Sequence, residues 1–338
     1  MTLAASIVIP TYNRARYLAR VLASLEQQDT AAGAFEVVVT DDGSTDDTAT
    51  VLAGTFSYPL VSLTQRNAGP AAARNAAIGR ASAELIIFVD DDVIPAPDLV
   101  RRHIEAQSDS PGVVIGRMLM PDGVRQPAWA EWEGRTVNRQ YDQMIAGIFV
   151  PTPRQFYTAN ASVRREDLIR AGLFDVEFRR AEDVELAYRL GDLGLPFRFV
   201  PEAVVTHDTP RSLAGWMRMA QQYGLCDVVM WRDRGRAQIL SNIAEEFHIY
   251  RKRALQVAAH IAVGRPPIML ATQIVDRGLI RGLDAVRMRK ASLAVCSLTF
   301  NLLYLDAVCD ALGGRVAFWA AMRRELAMLD LSADAPAT

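Results

Sequence analysis

Lysine is almost missing from this 338-residue chain. Lys252 and Lys290 are the only two, so arginine carries nearly all of the positive charge. That skew reflects genome composition, although guanidinium groups also suit phosphate recognition. The formal net charge is only -2, which excludes the basic footprint of a nucleic-acid-binding protein. Cysteine is scarce too. Cys226, Cys296 and Cys309 are odd in number and lack metal-ligand spacing, so they read as reduced, buried thiols of a cytosolic protein. No segment gives a clean run of about 20 apolar residues, so no spanning helix is expected. Neither a charged n-region nor a signal-like apolar segment precedes the first strand at Ile7. These absences point to a cytoplasmic protein, with length for one large domain or two smaller ones.

What is present is half hydrophobic, and its most informative feature is a pair of acid clusters at the ends of apolar runs. Val37-Val38-Val39-Thr40 runs into Asp41-Asp42-Gly43-Ser44, and Leu85-Ile86-Ile87-Phe88-Val89 runs into Asp90-Asp91-Asp92. Short Val- and Ile-rich runs closed by polar turns read as buried parallel strands. Open parallel sheets bind ligands outside the carboxyl ends of their strands. Five carboxylates therefore gather beside a ligand crevice, where they repel one another unless cations or hydrogen-bond donors compensate. A hard divalent cation with a polyphosphate is the simplest compensation.

Patterning sets the order of elements. Strands are predicted at Ser6–Ile9, Phe35–Thr40, Leu60–Leu63 and Leu85–Val89. Helices are predicted between them at Arg16–Gln28, Thr48–Gly54 and Ala71–Ala81, the last opened by Pro70. This β-α-β-α-β-α-β order argues a doubly wound α/β sheet. A helix at Asp98–Gln107 and a strand at Gly112–Gly116 follow. Residues 121–155, rich in Pro, Gly and Trp, read as irregular and partly mobile. Then come a strand at Asn160–Arg164, helices at Arg165–Ala171 and Ala181–Leu193, and two short extended pieces, Phe197–Val200 and Ala203–Thr206. The expected division is a domain over 1–209, a helical region over 210–331 and a disordered tail over 332–338.

Four motifs occur in order: Ile9-Pro10-Thr11-Tyr12-Asn13-Arg14, Asp41-Asp42-Gly43-Ser44-Thr45-Asp46, Arg66-Asn67-Ala68-Gly69-Pro70 with Ala73-Arg74-Asn75, and Phe88-Val89-Asp90-Asp91-Asp92. In that order and spacing they resemble the family 2 glycosyltransferases of the GT-A fold, over roughly residues 5–207. The resemblance implies a GT-A (Rossmann-like), mostly parallel sheet flanked by helices, followed by a helical C-terminal region. It implies an inverting transferase that moves a sugar from a nucleotide-diphospho-sugar, UDP-linked, to an acceptor hydroxyl. Pro10, Tyr12 and Asn13 would then lie on the nucleotide side, with Tyr12 stacking on the base. Asp42, with Asp41, would accept a base N–H, since a carboxylate only accepts. Arg74 would contact the nucleotide. Asp90 and Asp91 would lie on the ribose side, with Asp90 touching the ribose or the metal shell. Asp92 and His207 would ligate Mg²⁺ or Mn²⁺, which stabilises the leaving nucleoside diphosphate.

Ala181-Glu182-Asp183-Val184-Glu185 resembles the family's Glu-Asp motif at a helix head. By that resemblance Asp183 is the general base and Glu182 orients the acceptor. Asn160 matches a polar segment under the donor sugar. Trp129 and Trp132 either stack on a sugar ring or anchor a long loop by packing. Two other readings stay open: a sugar nucleotidyltransferase, and a non-catalytic sugar-nucleotide or carbohydrate-binding protein of the same fold. The first would want a Gly-rich phosphate loop where Pro10-Thr11-Tyr12-Asn13 stands. The second leaves Asp183 without a task.

Arg211, Arg218 and Arg232 either meet phosphate or acceptor or form a solvated face. Arg251-Lys252-Arg253 and Arg287-Met288-Arg289-Lys290 adjoin the apolar stretches 254–263, 268–275 and 291–305. Such pairing suits peripheral contact with the inner face of a membrane. It equally suits a helical bundle or a homodimer interface, and His260, Asp276, Asp284 and Asp306 interrupt the runs in favour of these. The acceptor, whether glycan, lipid-linked or a small natural product, is not encoded in any motif.

Overall fold

The computed structural model describes residues 3–31, 33–207, 211–249 and 277–333. The chain divides into two compact units, Met1–Val124 with Gly134–Thr209, and Arg125–Glu133 with Pro210–Thr338.

The first unit is built on one eight-stranded sheet. Its elements are β1 (Ala5–Thr11), α1 (Ala15–Leu25), β2 (Phe35–Asp41), α2 (Thr48–Leu52), β3 (Leu60–Thr64), α3 (Pro70–Arg80), β4 (Leu85–Val89), β5 (Val93–Pro95), α4 (Leu99–Asp109), β6 (Val113–Leu119), α5 (Ala128–Ile145, entering from the 125–133 segment), β7 (Asn160–Arg164), α6 (Arg165–Arg170), α7 (Glu182–Asp192) and β8 (Phe197–His207). Strand order is β3-β2-β1-β4-β7-β6-β8-β5. The first four strands are parallel, β7 runs antiparallel to β4 and β6, and β5 antiparallel to β8. Period-2 alternation puts Ile7, Ile9, Val37, Val39, Ile87 and Val89 in one core layer and Val8, Val38, Ile86 and Phe88 in the other. Both faces of the central strands are covered, as the continuous apolar runs require. The same parallel register brings Thr11 opposite Asp41, so the polar strand ends align along one edge.

Two expectations need correction. Residues 121–155 are not irregular throughout, because α5 occupies eighteen of them. Phe197–Val200 and Ala203–Thr206 are one strand, β8, with a register shift opposite Gly116/Arg117 where Pro201 sits. A bulge is where a strand tolerates proline. The three-residue β5 pairs Val93 with His207 and thereby places that histidine beside Asp92.

In the second unit, α8 (Leu213–Asp233) is capped by Ser212, whose hydroxyl accepts from the Gly215 N–H. It packs on the helix Arg289–Ala311, while α9 (Ala237–Ile249) packs on the helix Arg315–Ala333. Trp216 is fully buried, with Trp132 and Phe300 ring centroids 5.5 and 5.4 Å away. A Cβ on Gly224 would lie 2.3 Å from the Tyr304 carbonyl oxygen, so this glycine sets the close approach of α8 to its neighbour. Segment 125–133 is tied down by Arg125 donating to the Asp284 carbonyl, Arg289 to the Gln126 carbonyl and Trp129 Nε1 to the Arg211 carbonyl. Arg211 pairs with Glu133 at 3.0 Å and Arg232 with Asp233 at 2.7 Å. Among the described residues one helix, Arg289–Ala311, is long and apolar enough to cross a membrane, and its Cys296, Leu302, Leu303 and Val308 are buried within the unit. Arg251-Lys252-Arg253, the stretches 254–263 and 268–275, the 209 boundary and tail residues 334–338 lie outside the described residues.

Candidate active site

The carboxyl ends of β1, β2 and β4 carry most of the site. Pro10 pairs with Thr40, and Tyr12 stands 46% exposed just beyond the strand. That exposure gives it a free face for stacking, unlike the buried aromatics nearby. Asn13 adopts a left-handed backbone (φ 53°), a region asparagine tolerates. Its backbone N–H donates to Ser44 Oγ and its Oδ1 accepts from the Thr45 N–H at 2.7 Å, tying the turn after β1 to the turn after β2.

Asp41 and Asp42 are both buried. Asp41 Oδ1 accepts from the Ser44 N–H, closing the turn. Asp42 accepts three bonds from one loop: from Gln65 Nε2 at 2.7 Å, and from the Ala68 and Gly69 N–H groups at 2.8 Å each. A carboxylate offers about four acceptor positions, so these three bonds use most of them. Gly69 has φ 94°, and a Cβ there would lie 2.5 Å from the Arg179 guanidinium. The positive φ is what favours glycine there, since the Arg179 side chain could swing aside.

The acidic triplet splits by alternation. Asp91 points inward, where Thr11 Oγ1 donates to it at 2.8 Å and Arg14 Nη1 at 3.1 Å. Burial, reinforced by the neighbouring Asp92 and Asp90 charges against Arg14, pushes its carboxyl up to about 7. Expected on the nucleotide, Asp91 is instead committed to the protein. Burial would raise Asp92, but His207 and Arg14 beside it hold its carboxyl well below the usual range. Arg14 donates to Asp92 Oδ2, and His207 Nε2 lies 3.7 Å from the same atom. Arg14 ends the motif Ile9–Arg14, where nothing in the local pattern marks it for a role. Its pairing lies 78 residues away, and no local spacing announces that.

Asp90 is reached from another side. Arg74, in α3 and almost fully buried, donates Nη2 to Asp90 Oδ1 at 2.7 Å and Nη1 to Glu182 Oε1 at 2.8 Å. Arg74 therefore holds two acids and does not face open solvent, contrary to its expected contact with nucleotide. Glu182 and Asp183 open α7 after Ala181, which holds a left-handed φ of 57°. A non-glycine residue there stores strain, of a kind that clusters at functional sites. Asp183 Oδ1 accepts from the Val184 N–H. Burial, with the Glu182 charge, pushes the Asp183 carboxyl up to about 7 against the opposing pull of Arg74.

Asn160, expected under the donor sugar, is placed otherwise, and for Trp129 and Trp132 the packing alternative is the one seen. Asn160 is buried with every polar atom committed: Nδ2 donates to the Arg117 and Ala203 carbonyls at 3.0 and 2.8 Å, and Oδ1 faces His103 Nε2 at 2.9 Å. Its role is to lock β7 to β6, β8 and α4. Trp132 packs on Trp216 and Phe300, and Trp129 holds the Arg211 carbonyl, so both serve the second unit.

Among the described residues, no three His, Cys, Asp or Glu side chains form a preassembled metal cage. Asp92 and His207 form a two-donor set of carboxylate oxygen and imidazole nitrogen. That set fits a cation whose remaining ligands are phosphate oxygens and water.

The glycosyl transferase family 2 model matches residues 6–171. An uncharacterized glycosyltransferase, YfnE, of Bacillus subtilis (strain 168) is 29% identical over 253 residues, covering 60% of this chain and 64% of that protein. A validoxylamine A glucosyltransferase of Streptomyces hygroscopicus subsp. jinggangensis is 34% identical over 220 residues, covering 56% of this chain and 52% of that protein. This chain thus spans between half and two thirds of the length of these relatives. Among solved structures, the mannosyltransferase PcManGT from Pyrobaculum calidifontis, in complex with GDP-Man and Mn²⁺, matches with TM-score 0.56 at 22% identity over 88% of this chain and 86% of that one. S. aureus TarS 1-349 in complex with UDP-GlcNAc matches with TM-score 0.51 at 18% identity over 92% of each chain. These two likenesses establish the fold as GT-A. With its ordered motifs at the strand ends, the segment over residues 6–171 matches glycosyl transferase family 2.

Proposed function

We propose that this chain is an inverting, metal-dependent glycosyltransferase that moves a sugar from a UDP-sugar to an acceptor hydroxyl in one displacement. The observation that carries the reading is the convergence of Asp90 and the Glu182–Asp183 pair on the two arms of Arg74. Donor-side acids and a near-neutral carboxylate at a helix head share one network. A base whose pKa lies near the working pH combines the right protonation state with driving force for proton transfer.

Each residue has a task in this reading. Tyr12 offers its exposed face to the base. Asp42 accepts the base N–H with its remaining acceptor capacity. Uracil presents a single imide N–H there, whereas guanine presents an N–H and an amino group side by side and would want two. Asp90 receives the ribose hydroxyls. Asp92 and His207 would hold Mn²⁺ or Mg²⁺, and imidazole favours the former. That metal, when bound, supplies Lewis-acid stabilisation of the diphosphate leaving group. Asp183 takes the proton of the acceptor hydroxyl as its oxygen bonds to the anomeric carbon. The bond from that carbon to the diphosphate oxygen breaks on the opposite face, which inverts the centre. PcManGT and TarS, the GT-A proteins of similar fold, carry GDP-Man with Mn²⁺ and UDP-GlcNAc respectively, which supports a nucleotide-sugar donor.

A thermal-shift panel of UDP, GDP and their sugars, each with and without Mn²⁺, tests the donor and metal assignments together. A ligand that binds only the native state raises the melting temperature. The largest rise is expected for UDP compounds with Mn²⁺, and it should vanish in Asp92→Ala. Equal shifts with and without metal in the unmodified protein would remove the metal role. A larger shift with GDP would overturn the uracil assignment.

A further inference from the structure

Among the described residues, Arg74 is the cation shared by the donor-side acids and the head of α7. It is 4% exposed, so it has no surface with which to hold a substrate. Its two arms end on Asp90, 16 residues away in sequence, and on Glu182, 108 residues away. The guanidinium carbon lies 5.6 Å from the centroid of the Phe174 ring, which in turn meets Phe88 edge-on at 5.5 Å. The ring and the two carboxylates fix the guanidinium as a rigid fork, a geometry lysine cannot reproduce. Its Nε is buried without a partner. Buried orphan donors are rare and call for an explanation. Here the two Nη groups are spent on acids that other elements present, and Nε is left over.

We propose that Arg74 is the positioning residue of the reaction: it orients Glu182 and Asp183 relative to Asp90 and keeps Asp183 able to accept a proton. The inference rests on the reading of Asp183 as the base. The charged groups facing Asp183 are Glu182 from its own helix, Arg74 from α3 and Asp90 from the end of β4. Two of the three are negative and favour the protonated form. Arg74 is the one charge that opposes them, beside the Val184 N–H bond, so without it the carboxyl would hold its proton more tightly.

The test measures the carboxyl itself in protein labelled with ¹³C at the aspartate carboxyl carbons. Wild type should show a resonance that titrates near pH 7 and is missing from Asp183→Asn. In Arg74→Met that resonance should move up by about one unit or more, the scale of an opposite charge at contact distance. In Glu182→Gln, which removes a like charge and leaves α3 intact, it should move down. Opposite movements in the two variants are the signature of positioning by charge, and a merely structural arginine would not produce them. If Arg74→Met does not fold, Arg74→Lys replaces it and should give a smaller upward shift. Calorimetry with UDP and Mn²⁺ completes the test, since the Arg74 variant should bind UDP within a few-fold of wild type. An unmoved resonance, or a loss of UDP affinity in step with unchanged proton affinity at Asp183, would overturn the inference. Failure of the underlying reading looks different, because Asp183→Asn would then keep full transfer activity whatever Arg74 does.

Discussion

The two units of this chain use buried polarity in opposite ways. In the α/β unit, buried Asp42, Asp91, Arg74, Asn160 and His103 are each held by named partners, and several sit where strands end. In the helical unit one core cluster packs Trp216, Met217, Met219, Ile280 and Leu303, and the buried polar residues there, Asp227, Ser292 and Thr299, lie away from any strand end. Methionine and tryptophan fill irregular space between helices without fixing a polar geometry. A sheet, by contrast, aligns its strand ends by register, so polar groups on different strands meet at predetermined positions. The acids of the candidate site accordingly all lie in the first unit.

The comparison yields three graded tests. The largest effect is expected from Asp183→Asn, which should lower sugar transfer roughly 1,000-fold or more while UDP binding persists. Calorimetry beside a transfer assay separates the two, and near-wild-type turnover would remove chemistry from the α7 head. Next is Trp216→Ala in the helical core. Deleting a fully buried indole should destabilise the protein by about 3–5 kcal/mol, read from urea melts. UDP affinity in the presence of Mn²⁺ should be unchanged, and a parallel loss of that affinity would break the division of labour between the two units. The smallest concerns His103. Burial lowers its pKa to about 4, against the opposing Asn160 bond. Unfolded histidine titrates near 6.5, so between these values the unfolded chain binds the extra proton. Stability should therefore fall as pH drops from about 6.5 to 4, by roughly 3 kcal/mol in total, and level off below. Urea melts across this range should show a shallower dependence in His103→Gln, and an identical slope would contradict the neutral, buried assignment.

Much of the first unit is legible in the sequence because parallel strands buried on both faces announce themselves as Val and Ile runs. Val37–Thr40 and Leu85–Val89 could not be anything but interior, and each is followed at once by its acids. The helix Ala128–Ile145 is hidden by the opposite circumstance. Pro121, Pro127, Gly123 and Gly134 interrupt the segment, and its apolar residues form no single stripe. Trp129 and Trp132 resemble sugar platforms until their partners Arg211, Trp216 and Phe300, all distant in sequence, are known. Asn160 is misread for a related reason: a polar residue at a strand start looks exposed unless the sheet order puts α4 and β8 against it. The roles of Arg14 and Arg74 depend on contacts across 78 and 108 residues, beyond the reach of any periodicity.

The clamp on Asp42 carries a kinetic consequence. Its three internal bonds hold the loop 65–69 in place before any nucleotide arrives. Ordering that loop is thus no part of the association step, and rigid sites bind without waiting for a conformational change. Stopped-flow mixing with a fluorescent uridine nucleotide should give a single phase whose rate rises linearly with concentration. In Asp42→Asn, which loses acceptor capacity at the clamp, the same trace should level off at a ceiling set by the speed of the loop.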